Sequence, residues 1–357
     1  MCWSKYFDFA RETGVDSKWF KEQVITIHRR CLSTEQCDNI FSDKMLTNCD
    51  KKLPKMHIRD DGKIEEEKEA LHADFANKFI GGGVLTGGNV QEEILFTVNP
   101  ECLITMLLSP MVFYFIFILL NPKKKKIYIY IYTYIYMNET IVILGTRQYF
   151  DYTGYGSRFQ YNGLHQYQLR ESESKDKDSG ESATDTNNGD EKVDVLRFCQ
   201  KKPNRLATGI VCFDALEFPG DKQIQPKFLL RELVKAYVAF QCDEVLLADE
   251  RFGRVIATGN WGCGMFGGNK QIKSLLQWIA ATLAAKEIAY FTFAKFEKDK
   301  QLSKLSEVVN AMVQKEITVG QLWQALCNTN VRERFTYGSK SLFSLLNERL
   351  KLNISSL

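Results

Sequence analysis

The chain has 357 residues, of which 45% are hydrophobic and 25% charged, and its formal net charge is +3. This length suits one large domain or two ordinary ones, and the composition is that of a globular protein. So small a net charge excludes the strong basic footprint of a protein that binds duplex nucleic acid. The ten cysteines are scattered singly and show no metal spacing. We therefore predict no metal site and interpret the cysteines as reduced thiols of an intracellular protein.

The first predicted elements precede a glycine-rich segment. Residues 1–50 are predicted to be an irregular leader without a secretory signal, containing one strand over residues 23–28. "MHIRDDGKIEEEKEALHADF" is predicted to be a hairpin with its turn at "DDG". The segment "DFANKFIGGGVLTGGNVQEEILF" then places three glycines a few residues ahead of two adjacent carboxylates. A run of glycines, which have no side chains, so close to Gln-Glu-Glu indicates a functional loop.

An apolar stretch interrupts the chain after this segment. Leu103–Leu120 carries no charge and is followed by "NPKKKK" and "IYIYIYTYIY". Its length and basic flank are those of a candidate membrane helix over residues 103–120, but Ser109-Pro110 breaks the run. Residues 112–136 are almost wholly types that AT-rich codons encode. We favour translated intron sequence for 112–136, with a genuine loop insertion and a membrane segment as the alternatives.

Alternating strands and helices fill the second half of the chain. Residues 170–194 are polar and charge-rich, which predicts a disordered surface loop. Strand-like runs follow in "ATGIVCFDAL", "RVIATG" and "IAYFTF", with helical patterns in "KFLLRELVKAYVAFQC" and "NKQIKSLLQWIAATLAAKE". "ITVGQLWQALCN" is predicted to be a helix with Thr318 as its cap. This alternation favours a three-layer α/β domain with helices on both faces of the sheet.

A second glycine-rich loop lies in "ATGNWGCGMFGGNKQIKSLL". It runs from a predicted strand through four glycines into a predicted helix. Glycines let backbone N–H groups converge on an anion, and the N-terminus of the next helix adds positive potential. The spacing is neither that of a Walker loop nor GxGxxG. The pattern therefore indicates either a phosphate-binding loop or a merely tight turn.

These segments together resemble one family. "GGGVLTGGNVQEEILF" resembles the signature of poly(ADP-ribose) glycohydrolases, and "DFANKFIGGG", "GTRQYFDYTGY", "FDALEF", "RELVKAY", "ATGNWGCGMFGG", "YFTF" and "ITVG" follow in that family's order. The resemblance covers about residues 55–330. It implies a macrodomain-like three-layer α/β/α catalytic domain with a central mixed sheet, here over 51–335, with a helical tail over 336–357. Only about 50 residues precede the matched core, so the family's accessory helical region is expected to be absent or truncated.

The resemblance also implies the activity and the site. The family cleaves ribose–ribose O-glycosidic bonds of poly(ADP-ribose), mainly from the free end, and releases ADP-ribose. By matching position, Glu93 is the general acid and base and Glu92 orients the ribose. The substrate-binding residues that it implies are Asp74, Asn77, Gly81, Gly82, Gly83, Gln91, Tyr155, Asn260, Gly262, Cys263, Gly264, Phe266 and Phe293. Among these, Tyr155 would lie over the ADP-ribose and Phe293 would stack on adenine.

The residue types agree with this implication. Glycoside hydrolysis needs an acid for the leaving oxygen and a negative environment for the oxocarbenium-like transition state. Adjacent residues on an extended strand point apart, so we expect a looped backbone at Gln91–Glu93. The alternative is a macrodomain that binds ADP-ribose without cleaving it, although such a module has no need of two carboxylates beside an anionic ligand. No cofactor is implied.

The expected partners are poly(ADP-ribose) chains on modified proteins, without duplex nucleic acid or a membrane, and the protein is expected to be a monomer. The family implies a role in the DNA damage response and a place in the nucleus or cytoplasm. "PKKKK" resembles a nuclear signal but lies inside the doubtful segment.

Overall fold

The computed structural model describes residues 23–108, 138–168, 194–195, 198–199, 202–241, 253–293, 300–355 and 357. Residues 112–136 and 170–193 fall outside these ranges, and so do the predictions made for the inserted segment and for the polar loop. Within the described ranges, no helix combines the length and the apolarity needed to cross a bilayer.

Seven strands form the central sheet, in the order β1-β4-β11-β3-β12-β13-β2. The strands, in chain order, are β1 (Thr26–Cys31), β2 (His57–Arg59), β3 (Ala70–Asp74), β4 (Glu139–Leu144), β5 (Phe150–Thr153), β6 (Gln160–Leu164), β7 (Tyr167–Gln168), β8 (Asp194–Val195), β9 (Phe198–Cys199), β10 (Lys202–Leu206), β11 (Gly209–Cys212), β12 (Val255–Gly259) and β13 (Glu287–Phe291). In this order, neighbouring strands are parallel from β11 to β2. β4 is antiparallel to β11, and β1 is antiparallel to β4. The mixed central sheet is thereby confirmed.

The parallel strands end at a common edge. β3, β11, β12 and β13 finish at Asp74, Cys212, Gly259 and Phe291. In open α/β sheets, ligands bind in the crevice outside these carboxyl ends. Both glycine-rich segments of the sequence leave the sheet at this edge, one after β3 and one after β12.

The helices begin and end as follows: α1 (Thr34–Phe41), α2 (Asp43–Thr47), α3 (Gln91–Val98), α4 (Ile104–Leu108), α5 (Pro226–Phe240), α6 (Lys270–Leu283), α7 (Leu305–Gln314), α8 (Val319–Cys327), α9 (Thr329–Tyr337) and α10 (Leu342–Leu350). Short 3₁₀ turns lie at Ile64–Glu66, Val84–Thr86, Pro100–Leu103, Gly156–Arg158 and Gly220–Ile224. The predicted cap of α8 is confirmed, because the Thr318 hydroxyl accepts the N–H of Gln321 at 3.2 Å.

Two apolar cores lie on opposite faces of the sheet. Because successive side chains of a strand alternate, Val142 and Leu144 of β4 join the larger core with α5, α6 and the C-terminal helices, whereas Ile141 and Ile143 join a smaller core with α3. Both faces of the sheet are therefore covered. This is the three-layer arrangement that the sequence predicts.

The predicted hairpin before the glycine segment is wrong. β2 pairs with β13, and β3 lies between β11 and β12, so β12 and β13 separate the two strands in the sheet. The alternation of apolar residues identifies a strand, but the partner is chosen by long-range packing. Both neighbours of β3 are parallel to it, so the tight turn that a hairpin requires cannot join β3 to either of them.

Two further predictions need correction. The prediction of an irregular leader is wrong for residues 26–47. There β1 pairs with β4, and the Ser33 hydroxyl caps α1 by accepting the Gln36 N–H at 3.1 Å. The helical tail predicted over 336–357 does contain a helix, α10, but it is not separate from the domain predicted over 51–335. Leu342 and Phe343 of α10 are fully buried in the larger core.

Candidate active site

Gln91, Glu92 and Glu93 form the first turn of α3, so the looped backbone that the sequence predicts here is wrong. The backbone that loops is the glycine segment ahead of them, which folds back over the helix N-terminus. Successive residues are about 100° apart around a helix axis, so the two carboxylates diverge less than they would on a strand. Glu92 and Glu93 are only 2% and 7% exposed.

The two carboxylates fasten the glycine segment through backbone hydrogen bonds. Glu92 accepts the N–H of Asn77 at 2.7 Å on one oxygen and the N–H of Gly81 at 2.6 Å on the other. Glu93 accepts the N–H groups of Gly83 and Val90, both at 2.9 Å. Such charge-assisted bonds are short and strong. The predicted catalytic residues therefore also fix the shape of the loop that covers them.

Gly82 shows why this segment needs glycine. Its φ of +49° lies in the left-handed region. A Cβ atom placed on it would fall 2.5 Å from Glu93 Oε1 and 2.7 Å from Glu92 Oε2. The backbone therefore runs directly against both carboxylates, and no larger residue fits there without displacing them.

Gln91 and Asp74 support the carboxylates from the sheet side. The Gln91 amide accepts the Phe75 N–H at 2.7 Å and donates to the carbonyl of Ala73 at 3.0 Å, which ties α3 to the end of β3. Asp74 has no exposed surface, and burial raises its pKa to about 8. Burial likewise raises the pKa of Glu92, and the adjacent Asp74 raises it further.

The second glycine loop leaves β12 and enters α6, as predicted. It is closed by internal bonds, such as that from the Gly268 N–H to the carbonyl of Gly262 at 2.9 Å. Among the described residues, the backbone N–H groups of Gly262, Gly264, Met265 and Phe266 have no protein acceptor. A run of unengaged N–H groups is what an oxyanion requires. This observation favours the phosphate-binding interpretation of the loop over the tight turn.

Asn260, Cys263 and Phe266 hold this loop in place. The Asn260 amide donates to the carbonyl of Thr292 at 2.9 Å and accepts the Tyr290 hydroxyl at 3.2 Å, so it links the ends of β12 and β13. The Cys263 thiol donates to the carbonyl of Trp261 at 3.4 Å. The carbonyl of Phe266 accepts the Phe218 N–H at 2.9 Å.

Two predicted aromatic residues lie at different parts of this edge. Tyr155 is 54% exposed, and its hydroxyl lies 3.8 Å from the position that a Cβ atom on Gly264 would take. The next residue, Gly156, donates its N–H to the carbonyl of Asn89 at 2.9 Å, so Tyr155 bridges the two glycine segments. Phe293 follows β13, with its ring 6.4 Å from that of Phe291. The structure thus brings the predicted residues to one edge, but β12 lies between the end of β13, where Phe293 is, and the end of β3, near the carboxylates.

Lys273 is a residue that sequence reasoning missed. It is fully buried beneath the phosphate-loop candidate, with its ammonium 3.8 Å from the centroid of the Trp261 ring and in contact with Glu232. A Cβ atom on Gly262 would lie 3.2 Å from it. Burial lowers the pKa of Lys273, and the Arg231 charge lowers it further. Two lysines, Lys270 and Lys273, in the first turn of a helix directly after a glycine loop were the available signal.

This arrangement combines two chemical capacities. One part presents carboxylates in a buried, loop-covered setting that suits acid–base work. The other part presents unengaged backbone N–H groups at the start of a helix, which suit a phosphate. The aromatic rings at the edge suit a planar base.

Comparison with known proteins agrees with this chemistry. The sequence model of the family described as "Poly (ADP-ribose) glycohydrolase (PARG), Macro domain fold" matches residues 43–114 and 115–300. The chain is 28% identical over 347 residues to the probable poly(ADP-ribose) glycohydrolase 2 of Arabidopsis thaliana, covering 87% of this chain and 56% of that protein. It is also 28% identical over 298 residues to poly(ADP-ribose) glycohydrolase 1 of Caenorhabditis elegans, covering 82% of this chain and 31% of that protein.

The chain thus spans from about a third to just over half of the length of these relatives. The family match covers most of the chain, including both glycine segments and all of the parallel strands. On this evidence the chain belongs to the poly(ADP-ribose) glycohydrolase family and has its macrodomain fold.

Proposed function

We propose that this protein hydrolyses the ribose–ribose O-glycosidic bonds of poly(ADP-ribose), mainly from the free end of the polymer, and releases ADP-ribose. One observation carries the proposal: two adjacent buried carboxylates, wrapped by a glycine loop, lie beside a loop with unengaged backbone N–H groups. A phosphate-bearing sugar is the substrate that needs both parts. The family membership and the two named relatives support the same activity.

The sheet edge suggests how the terminal unit lies. Across β13, β12 and β3 the edge carries Phe293, then the phosphate-loop candidate, then the carboxylates. Adenine, diphosphate and distal ribose follow one another in the same order within ADP-ribose. We therefore assign adenine to Phe293, the diphosphate to the N–H groups of residues 262–266, and the distal ribose to Glu92 and Glu93, with Tyr155 over the ligand.

In this arrangement Glu93 is the general acid and base. It is more exposed than Glu92, and its hydrogen bonds to Gly83 and Val90 hold it still. Glu93 gives its proton to the leaving ribose oxygen as the bond from that oxygen to C1″ breaks. The carboxylate then takes a proton from the water that attacks C1″, which restores the acid. Glu92 orients the ribose, and Asp74 positions Glu92 from behind.

The alternative is a module that binds ADP-ribose without cleaving it. The phosphate-loop candidate and the aromatic residues serve both functions equally. The two carboxylates distinguish the two functions. A buried pair of negative charges repels an anionic ligand, so a protein that only binds ADP-ribose gains nothing from the pair, whereas a hydrolase uses it for catalysis.

The test is release of ADP-ribose from poly(ADP-ribose) by the full chain, by a version lacking residues 112–136, and by Glu93→Gln in each. Gln keeps the size of the side chain but cannot transfer the proton, so we expect a loss of at least about 100-fold in kcat with ADP-ribose binding retained. Glu65→Gln, at an acidic residue of the Ile64–Glu66 turn, is the control and should remain active. Binding of ADP-ribose without cleavage by either unsubstituted version would instead establish the binding module.

The partners in this proposal are poly(ADP-ribose) chains on modified proteins, recognised by a monomer that needs no cofactor or duplex nucleic acid. Release of single ADP-ribose units, rather than oligomers, at early times would support cleavage from the free end. Nuclear or cytoplasmic placement stays a prediction, which imaging of the tagged full chain would test.

A further inference from the structure

An exposed apolar rim borders the candidate active site where the loop after β11 meets the phosphate-loop candidate. It consists of Phe218, in the loop after β11, and Met265, in the phosphate-loop candidate; their side chains are 73% and 67% exposed. The Phe218 N–H donates to the carbonyl of Phe266 at 2.9 Å, so the two loops are joined at this point. Large apolar side chains exposed beside a ligand cleft are typical of a binding surface.

The backbone holds Phe218 outward in an unfavourable conformation. Its φ of +46° lies in the left-handed region, which a bulky side chain rarely adopts. Such conformations persist where the surroundings impose them and are concentrated at ligand clamps. The conformation therefore argues for a function of the exposed ring.

An ion pair ties this rim to the catalytic carboxylates. The Lys78 ammonium nitrogen lies 3.4 Å from Oε1 of Glu217, the residue before Phe218. Lys78 itself follows Asn77, whose N–H donates to Glu92. The rim is thus anchored to the loop that covers the carboxylates, one residue from Asn77.

The order of strands gives the rim its place along the substrate. The edge runs β13, β12, β3 and β11, which carry Phe293, the phosphate-loop candidate, the carboxylates and Phe218. The Phe218–Phe266 hydrogen bond and the Lys78–Glu217 ion pair place the loop after β11 between the phosphate-loop candidate and the loop that covers the carboxylates, beside the bond to be cleaved. When the terminal unit fills the first three positions, the leaving oxygen belongs to the ribose of the next adenosine, and that adenosine emerges at β11.

We propose that Phe218 and Met265 bind the adenosine of the penultimate ADP-ribose unit, the unit that leaves when the terminal one is released. This inference rests on the proposed function and adds to it a second subsite. The Phe218 ring stacks on the adenine, and the Met265 thioether contacts the same base or its ribose. The side chains of Phe218 and Met265 hold the polymer and contribute nothing to free ADP-ribose, which ends at the carboxylates and meets Met265 only at its backbone N–H.

The test compares Phe218→Ala, Phe218→Tyr and Met265→Ala with the unsubstituted full chain, or with the version lacking residues 112–136 if only that version is active. Because stacking of a base contributes a factor of about ten or more, Phe218→Ala should raise KM for long poly(ADP-ribose) about tenfold. Its kcat and its affinity for free ADP-ribose should stay within about twofold. Phe218→Tyr retains the ring and should keep the original KM. Met45→Ala, at a similarly exposed methionine of α2, is the matched control.

Three outcomes are decisive. An unchanged KM for Phe218→Ala overturns the second subsite while leaving the hydrolase intact. A parallel loss of affinity for free ADP-ribose overturns it too, because Phe218 would then belong to the terminal-unit site or to the fold. If the unsubstituted protein releases no ADP-ribose, the proposed function itself fails, and this inference fails with it.

Discussion

At the scale of single residues, the position of Gly82 decides whether the candidate site can form. Its backbone lies against Glu92 and Glu93, and both carboxylates accept N–H groups from residues on either side of it. The glycine is needed for its lack of a side chain as well as for its positive φ. Those two requirements can be separated, because Gly87 in the same segment has a φ of +89° with nothing near its Cβ position.

We expect Gly82→Ala to lower kcat by at least about 100-fold, because a methyl group there pushes both carboxylates out of position. Gly87→Ala carries the backbone penalty without the collision, so it should lose about 1 kcal/mol of stability and little activity. Steady-state kinetics with poly(ADP-ribose) and urea unfolding measure the two effects. Equal losses of activity in both variants would show that conformation alone is responsible.

At the scale of elements, α5 and α6 meet beneath the phosphate-loop candidate through buried charges. Lys273 of α6 contacts Glu232 of α5, which also pairs with Arg231, while Lys235 pairs with Asp214 at 2.8 Å. Buried ion pairs seldom add net stability, but breaking one leaves a buried charge without compensation. This network therefore fixes how the two helices, and the loop between β12 and α6, sit together.

We expect Lys273→Met to destabilise the protein by on the order of 3 kcal/mol, because Glu232 then keeps Arg231 and the Leu216 N–H but loses the buried ammonium that faces it. Adding Glu232→Gln should recover part of this loss. Urea unfolding of the four proteins in a double-mutant cycle measures the coupling, and strict additivity would contradict it. Lys304→Met, at the exposed pair with Glu307, is the control and should change stability by less than about 0.5 kcal/mol.

At the scale of the whole molecule, buried acids between the sheet and α3 link stability to pH. Asp74 has an ordinary pKa of 3.8 and a pKa of about 8 in the folded protein, because it is buried and Glu93 adds a negative charge nearby. Between these values the folded protein holds a proton that the unfolded chain has released. The free energy of unfolding must therefore fall as the pH rises through this window.

We expect Asp74→Asn to remove this contribution, since Asn fills the same space and does not ionise. Between pH 5 and pH 8, the free energy of unfolding should fall less in Asp74→Asn than in the unsubstituted protein. Urea unfolding at the two pH values measures the slopes, and Asp221→Asn, at an exposed carboxylate, should keep the original slope. Identical slopes for Asp74→Asn and the unsubstituted protein would contradict the raised pKa.

Local signals in the sequence predicted most elements of the fold. The glycine loop between β12 and α6, the Thr318 cap and the alternation of strands and helices all depend on contacts within a few residues. Such contacts are encoded by neighbouring side chains, so they can be read without the structure. The family resemblance of the segment around Gln91, Glu92 and Glu93 likewise predicted the chemistry that we propose for the site.

Tertiary structure alone decided how these pieces meet. The neighbours of β3, the helical start at Gln91 and the burial of α10 depend on long-range packing that no local pattern records. The same holds for the surroundings of Lys273 and Phe218, which are formed by segments distant in sequence. By itself, the sequence determined the family and the fold class, and it supplied the side chains that we propose as catalytic. The order of the strands then determined where each side chain lies along a ligand, because only chain folding sets distances between residues that are far apart in sequence.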